Sequence, residues 1–148
     1  MTTVATPRAD AERNLEVLRR VVEEGFGKGN LAVLDEVVAP TFVEHQYGMP
    51  STREGLKGAI AGLRRIFPDL TVTMEHMTVD GDKVWCCFRA RGTQRGDMMG
   101  LPATGKTMEV LVMDLIRVED GKLVEHWGVP DRFAQLEQLG LLSPTREE

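Results

Sequence analysis

His126 and Asp114 are the two residues whose types and settings most plainly suggest chemistry. His126 sits in an alternating run, Lys122 to Val129, and an imidazole changes protonation close to neutral pH, so it can take up or release a proton in a reaction. Asp114 lies among Leu111, Val112, Met113, Leu115 and Ile116, where a carboxylate pays a heavy desolvation cost unless it has a partner or a pocket. The two runs are joined by Glu119-Asp120-Gly121, an Asp-Gly signal for an antiparallel hairpin. A two-residue loop sets Asp114 opposite Trp127. A three-residue loop with Gly121 in the left-handed region sets it opposite His126, and this sequence suits the longer loop. In that register Asp114 fixes the imidazole tautomer and leaves a base with a pKa near neutrality. His126 can then act as a general base, with a second donor, which the sequence does not identify, steadying the charge that develops. The alternative is a buried polar pair that only satisfies itself.

Other residues offer weaker signals. His45, with Glu44, is either a second acid/base or donor, or an ordinary loop histidine beside Gln46 and Tyr47. His76 reads as a surface residue of a strand. No pair of histidines has the spacing of a metal site, and no metal is expected. Trp85, Trp127 and Met113, with Met74, Met98 and Met99, supply either an apolar wall for a planar ligand or core packing. Arg89 shares a strand face with Trp85; it binds a substrate carboxylate or enolate, or makes a salt bridge on an exposed face. Cys86 and Cys87 are adjacent, so in a strand they leave on opposite faces. A mutual disulfide is poor geometry, and both read as small buried hydrophobes.

The elements that must carry these residues are legible from periodicity. Leu15, Leu18, Val21, Val22 and Phe26 give an amphipathic helix over 10–26, and Leu31 to Val38 gives a second helix stopped by Pro40. A short extended piece, Thr41 to His45, follows. Ser51 and Glu54 have capping-box spacing ahead of a third helix that carries Leu56, Ile60, Leu63 and Ile66. Arg64 and Arg65 close it, as cations suited to its dipole. The period then falls to two: Leu70 to Val79, Lys83 to Gln94, Lys106 to Val118 and Lys122 to Val129 form an antiparallel meander. Between the middle two strands, Gly92 to Thr104 reads as a hairpin loop near the pocket, able to act as a lid. Asp131 caps a last helix that Gly140 ends. Helices followed by a twisted sheet make an α+β chain.

With 148 residues, 42% hydrophobic and 28% charged, the chain fits one soluble domain over 10–142, with flexible ends at 1–9 and 143–148. A net charge of −5 repels phosphate backbones and anionic lipid, so neither nucleic acid nor a membrane surface is an expected partner. No apolar run approaches the ~20 residues of a membrane span, and a cytoplasmic protein is expected.

Phe67-Pro68-Asp69-Leu70, Gly81-Asp82-Lys83-Val84, Gly92-Thr93, Gly100 to Lys106, Asp120-Gly121-Lys122, Glu125-His126-Trp127 and Gln138-Leu139-Gly140 stand in an order that resembles the SnoaL-like polyketide cyclases. The resemblance implies a cone-shaped α+β barrel of the kind shared with nuclear transport factors and ketosteroid isomerases, paired as a homodimer or homotetramer through the open sheet face. It implies a hydrophobic small-molecule ligand and an intramolecular aldol closure without metal or cofactor. It also places Glu44 and His45 at the cone's mouth. Counted from the hairpin, the family's catalytic Asp falls at Gly128 and a pocket His at Asp114, so a cyclase of this kind needs another acid/base, for which His126 with Asp114 is the candidate. A noncatalytic binding or oligomerisation module, or a hydrolase on the same scaffold, fits the same residues.

Overall fold

The computed structural model describes residues 7–142. Helix α1, Arg8–Arg19, runs without a break into a π-helical stretch, Arg20–Gly27, then α2, Ala32–Val37, and strand β1, Val38–Glu44. Helix α3, Arg53–Ile66, leads into the strands β2, Thr71–Asp80, β3, Lys83–Thr93, β4, Thr107–Glu119, and β5, Lys122–Pro130, and the chain ends in α4, Arg132–Gln138. The helix expected from residue 10 thus begins earlier, with Arg8 and Ala9 already helical. Residues 1–6 and the expected tail at 143–148 lie outside the described residues.

Two local expectations change. The cap of α3 is Thr52, whose hydroxyl accepts from the Gly55 N–H at 2.9 Å, and not Ser51, whose hydroxyl accepts from the Glu44 N–H at 2.9 Å. Ser51 therefore ties the helix entry to the end of β1. Arg64, in the last turn of α3, donates to the carbonyls of Phe26 and Gly27 at 2.8 and 3.0 Å. It closes the π-helical stretch as well as sitting at its own helix end, satisfying carbonyls that a helix terminus leaves without intrahelical donors.

Strands β2 to β5 form the antiparallel meander, and β1 adds to β5 in parallel, giving the order β1-β5-β4-β3-β2. β1 and β2 are free edges, so the sheet curls but does not close into a barrel. Along β3 the inner face carries Val84, Cys86, Phe88 and Ala90, all buried, while Trp85, Arg89 and Arg91 on the alternate face are exposed. This is the period-two pattern of a sheet covered on one side only. Helices α1 and α3 and the π-helical stretch cover the inner face, and Leu34, Ile60, Phe67 and Ile116 are fully buried between the layers. The α+β class is as expected. No described helix is long and apolar enough to cross a membrane.

The loop from Gln94 to Lys106 is pinned from within. Gln94 is fully buried; its Oε1 accepts from the Thr104 hydroxyl at 2.8 Å, and its Nε2 donates to the Gly96 carbonyl at 3.2 Å. Met98 from this loop is buried against the core.

Candidate functional site

The relation between Asp114 and His126 is set by the β4–β5 hairpin. Asp120 and Gly121, with φ of 50° and 73°, form a two-residue turn, and Glu119 pairs with Lys122. Continued without interruption, that register places Asp114 opposite Trp127 and points His126 away from it. It is interrupted: Val118 pairs with Leu123 but Arg117 pairs with Glu125, leaving Val124 as a bulge. Beyond the bulge Asp114 lies opposite Gly128, and His126 opposite Ile116. The expected direct opposition of Asp114 and His126 through a three-residue loop is therefore incorrect. The two meet diagonally on the inner face, His126 Nε2 standing 3.3 Å from Asp114 Oδ2 across a backbone that carries no side chain at Gly128.

A third residue completes the group. β1 runs parallel to β5 with Glu44 paired to His126, and Glu44 Oε1 lies 2.7 Å from His126 Nδ1. The same oxygen accepts from the Gln46 N–H at 2.9 Å. All three residues are buried, and Glu44 Oε2 and Asp114 Oδ1 have no hydrogen-bond partner among the described residues. Burial alone would lower the pKa of His126, but hydrogen bonds from the imidazole to Asp114 and Glu44, together with their charges, outweigh it and hold the pKa up at about 9. The expected base near neutrality is thus replaced by an imidazolium clamped between two carboxylates.

Asp114 and His126 line a cavity of about 360 Å³ between the inner sheet face and the helices. Its wall is largely apolar, with Phe26, Leu63, Ile66, Phe88, Met108 and Val110, and its other polar side chains are Gln46, Arg132 and Gln135. Such a lining, with a few convergent polar groups, is the usual make-up of a small-molecule site. Gly128 is required by space. A Cβ there would come within 2.3 Å of Gln46 Oε1, 2.7 Å of His126 Cε1 and 2.8 Å of Asp114 Oδ1. Gln46 thus reaches over the position where the resemblance places an acid, and its side-chain amide has no hydrogen-bond partner among the described residues. Nothing in the spacing of Gln46, Arg132 or Gln135 marked them as site residues; the chain brings them in from a loop after β1 and from α4.

Several expected ligand contacts lie on the other face of the sheet. Trp85 and Met113 are each 48% exposed there, and Arg89 is paired with Glu75 at 2.6 Å, so strand alternation points all three away from the cavity. Trp127, opposite Leu115 on the same outer face, is covered by His45, whose ring stacks on it at 4.5 Å between centroids. His45 Nε2 meets Glu125 Oε2 at 2.9 Å, and Glu125 also accepts from Arg117 at 2.8 Å. His45 and Trp127 thus belong to an outer network, while Glu44, next in the chain, turns inward. His76 is exposed. Cys86 is buried opposite Asp114, and desolvation, with the neighbouring carboxylate, pushes its thiol up to about 12. Cys87, expected to be buried, is only partly so.

Comparison with known proteins agrees with this architecture. The sequence pattern of the SnoaL-like polyketide cyclases matches residues 16–139. The chain is 30% identical over 143 residues to aklanonic acid methyl ester cyclase DauD of Streptomyces sp. (strain C5), covering 90% of this chain and 85% of that protein. It is 28% identical to aklanonic acid methyl ester cyclase DnrD of Streptomyces peucetius, covering 90% and 94%. Among solved structures, TsrD from Streptomyces laurentii superposes with a TM-score of 0.82 at 26% identity, covering 93% of this chain and 100% of that one. IdmH from Streptomyces antibioticus gives 0.75 at 35% identity, covering 86% and 98%. With the profile spanning most of its length, the chain belongs to the SnoaL-like polyketide cyclase family.

Proposed function

We propose that the protein is a cofactor-independent cyclase of a hydrophobic, polyketide-like carbonyl compound. The observation that carries the proposal is a buried carboxylate, Asp114, held by an imidazolium that Glu44 holds in turn, in the wall of an otherwise apolar cavity. In this reading Asp114 is the base. It takes a proton from a carbon acidified by flanking carbonyls, the carbanion adds to a ketone carbon of the same molecule, and the proton returns from Asp114 to the new alkoxide. The His126 imidazolium steadies the developing charge, and the Gln46 amide, which carries both a donor and an acceptor, is the second donor for the enolate oxygen. The net change is an isomerisation, so atoms and electrons balance without a co-reactant. A noncatalytic binding module would leave the unpartnered Oδ1 of Asp114, in the cavity wall, without a use, since an unpaired buried polar group is costly.

The names of the two curated relatives make aklanonic acid methyl ester the first compound to try. Conversion to a product of unchanged mass is expected, with Asp114→Asn slower by ~100-fold or more, the usual worth of a positioned general base. A product lighter by one CH2, the free acid left when water displaces methanol from the ester, identifies a hydrolase instead. Near-wild-type turnover in Asp114→Asn removes Asp114 from the role of base.

We further propose that copies pair through the outer sheet face, where Trp85, Leu115 and Trp127, and beside them Cys87, Met113 and Val129, run side by side across three strands.

A further inference from the structure

Among the polar residues of the cavity, Arg132 alone is a cation without a counter-charge. It stands at the start of α4, six residues beyond His126, and donates from Nη1 to Gln135 Oε1. Gln135 is itself buried and donates to Met108 Sδ at 3.1 Å, which anchors the pair over Met108. Met108 lies six residues before Asp114 on β4, or roughly 20 Å along the strand at ~3.3 Å per residue. The guanidinium is therefore held at the end of the cavity remote from the Glu44–His126–Asp114 group.

Several arginines outside the cavity have carboxylate partners, among them Arg20 with Glu36 at 2.7 Å, Arg89 with Glu75 at 2.6 Å and Arg117 with Glu125 at 2.7 Å. Arg132 forms no ion pair among the described residues. Partial desolvation lowers its pKa, whereas the carboxylates raise those of Arg20, Arg89 and Arg117. Arg132 is exposed, so a guanidinium set by a buried amide where the apolar cavity meets solvent, and facing no acid, has the form of an anion receptor. Its planar fork matches a carboxylate through two parallel hydrogen bonds.

We propose that Arg132 is a specificity residue that binds a carboxylate on an apolar, ring-containing substrate, at the end of the molecule away from the reacting carbon. The proposal deepens the cyclase reading and rests on the same cavity being the substrate site. A free acid therefore binds more tightly than the corresponding neutral ester, which still fills the apolar cavity but leaves the guanidinium uncompensated.

The test is calorimetric titration of the whole protein at neutral pH with anthraquinone-2-carboxylate and with its methyl ester, in the wild type and in Arg132→Gln. The wild type is expected to bind the acid roughly tenfold more tightly than the ester, as a charge-assisted hydrogen-bonded pair allows. Arg132→Gln should bring the two ligands within about twofold of each other while leaving the ester's affinity unchanged. Equal affinity for acid and ester in the wild type, failure of both to bind, or an acid preference that survives in Arg132→Gln overturns the proposal. A circular dichroism spectrum matching the wild type establishes that the variant is folded. A protein that prefers the acid through Arg132 but turns nothing over sinks the cyclase reading and leaves the anchor standing.

Discussion

A neutral imidazole has one N–H, yet His126 faces a carboxylate oxygen at each ring nitrogen, 2.7 Å away at Glu44 and 3.3 Å away at Asp114. Both contacts are hydrogen bonds to ionised carboxylates only if the ring is an imidazolium, in keeping with a pKa of about 9. The folded value lies above the ordinary 6.5, so the ring's contribution to stability is fully present below about pH 6.5 and is lost as pH rises through about 9. Its full size is on the order of 3 kcal/mol. Urea denaturation at pH 6, 8 and 10 should show this alkaline loss, and NMR of the imidazole should show it charged at neutral pH. In Glu44→Gln the titration should move down in pH, and the stability loss with it. An imidazole that titrates between pH 6 and 7 in the wild type contradicts the clamp. Gly128 provides the second test at this scale. In Gly128→Ala the new methyl meets Gln46, whose tip can swing away, but also the hydrogen-bonded His126 and Asp114, which cannot both yield. Overpacking of this kind costs ~1–3 kcal/mol, and turnover should fall even where a melting curve shows the fold retained. Sequence could pair Asp114 with His126, because a carboxylate in that apolar run needs a partner. It could not show the protonation state, because the second carboxylate comes from a strand 82 residues away.

The elements explain why that pairing works. The four meander strands were legible within a residue or two, because alternation is a direct consequence of burying one face. The bulge at Val124 was not legible: Leu123 and Val124 are both buried, and two adjacent apolar residues are as consistent with a regular strand end as with an inserted residue. A one-residue slip exchanges the faces of a strand, so this insertion is what turns His126 toward Asp114. β1 was read too short because Pro40 looked like a helix stop. It lies instead within an edge strand, where a missing N–H is tolerated. Arg64 was read as a cation at its own helix end, and its contacts with the π-helical stretch follow only from tertiary packing. Phe26 is both a carbonyl acceptor for Arg64 and part of the cavity wall, so this one side chain links the helix end to the site. Arg64→Met keeps the aliphatic stem but removes the donor from the Phe26 and Gly27 carbonyls. Urea denaturation should register a loss of ~1–3 kcal/mol, the usual penalty for part-buried acceptors left unpaired. A loss below ~0.5 kcal/mol, the level of an ordinary surface substitution, would mean that water replaces the guanidinium at little cost.

At the scale of the molecule, one sheet separates two surfaces, and each strand contributes to both. β4 turns Asp114 inward and Met113 outward, and β5 turns His126 inward and Val129 outward, with Val129 69% exposed. Trp85 and Met113 were read as ligand contacts because a strand's sequence gives two faces without saying which is covered; the helices decide that, and they lie against the other side. What remains outside is a contiguous apolar strip, flanked by the paired Arg89 and Glu75, on a chain whose net charge of −5 otherwise favours solubility. If copies pair there, a charge at the centre of the strip is buried without a partner in the dimer and costs nothing in the monomer. Met113→Lys should therefore lower the sedimentation mass from dimer to monomer, weakening association by ~10-fold or more. Because its side chain leaves the strand on the opposite face from Asp114, the same substitution should leave the His126 titration where it was. A wild type that sediments as a monomer at micromolar concentration removes the pairing proposal. A variant that becomes monomeric and also loses the raised His126 pKa shows that the curl of the sheet, and with it the diagonal contact of His126 with Asp114, depends on the partner copy.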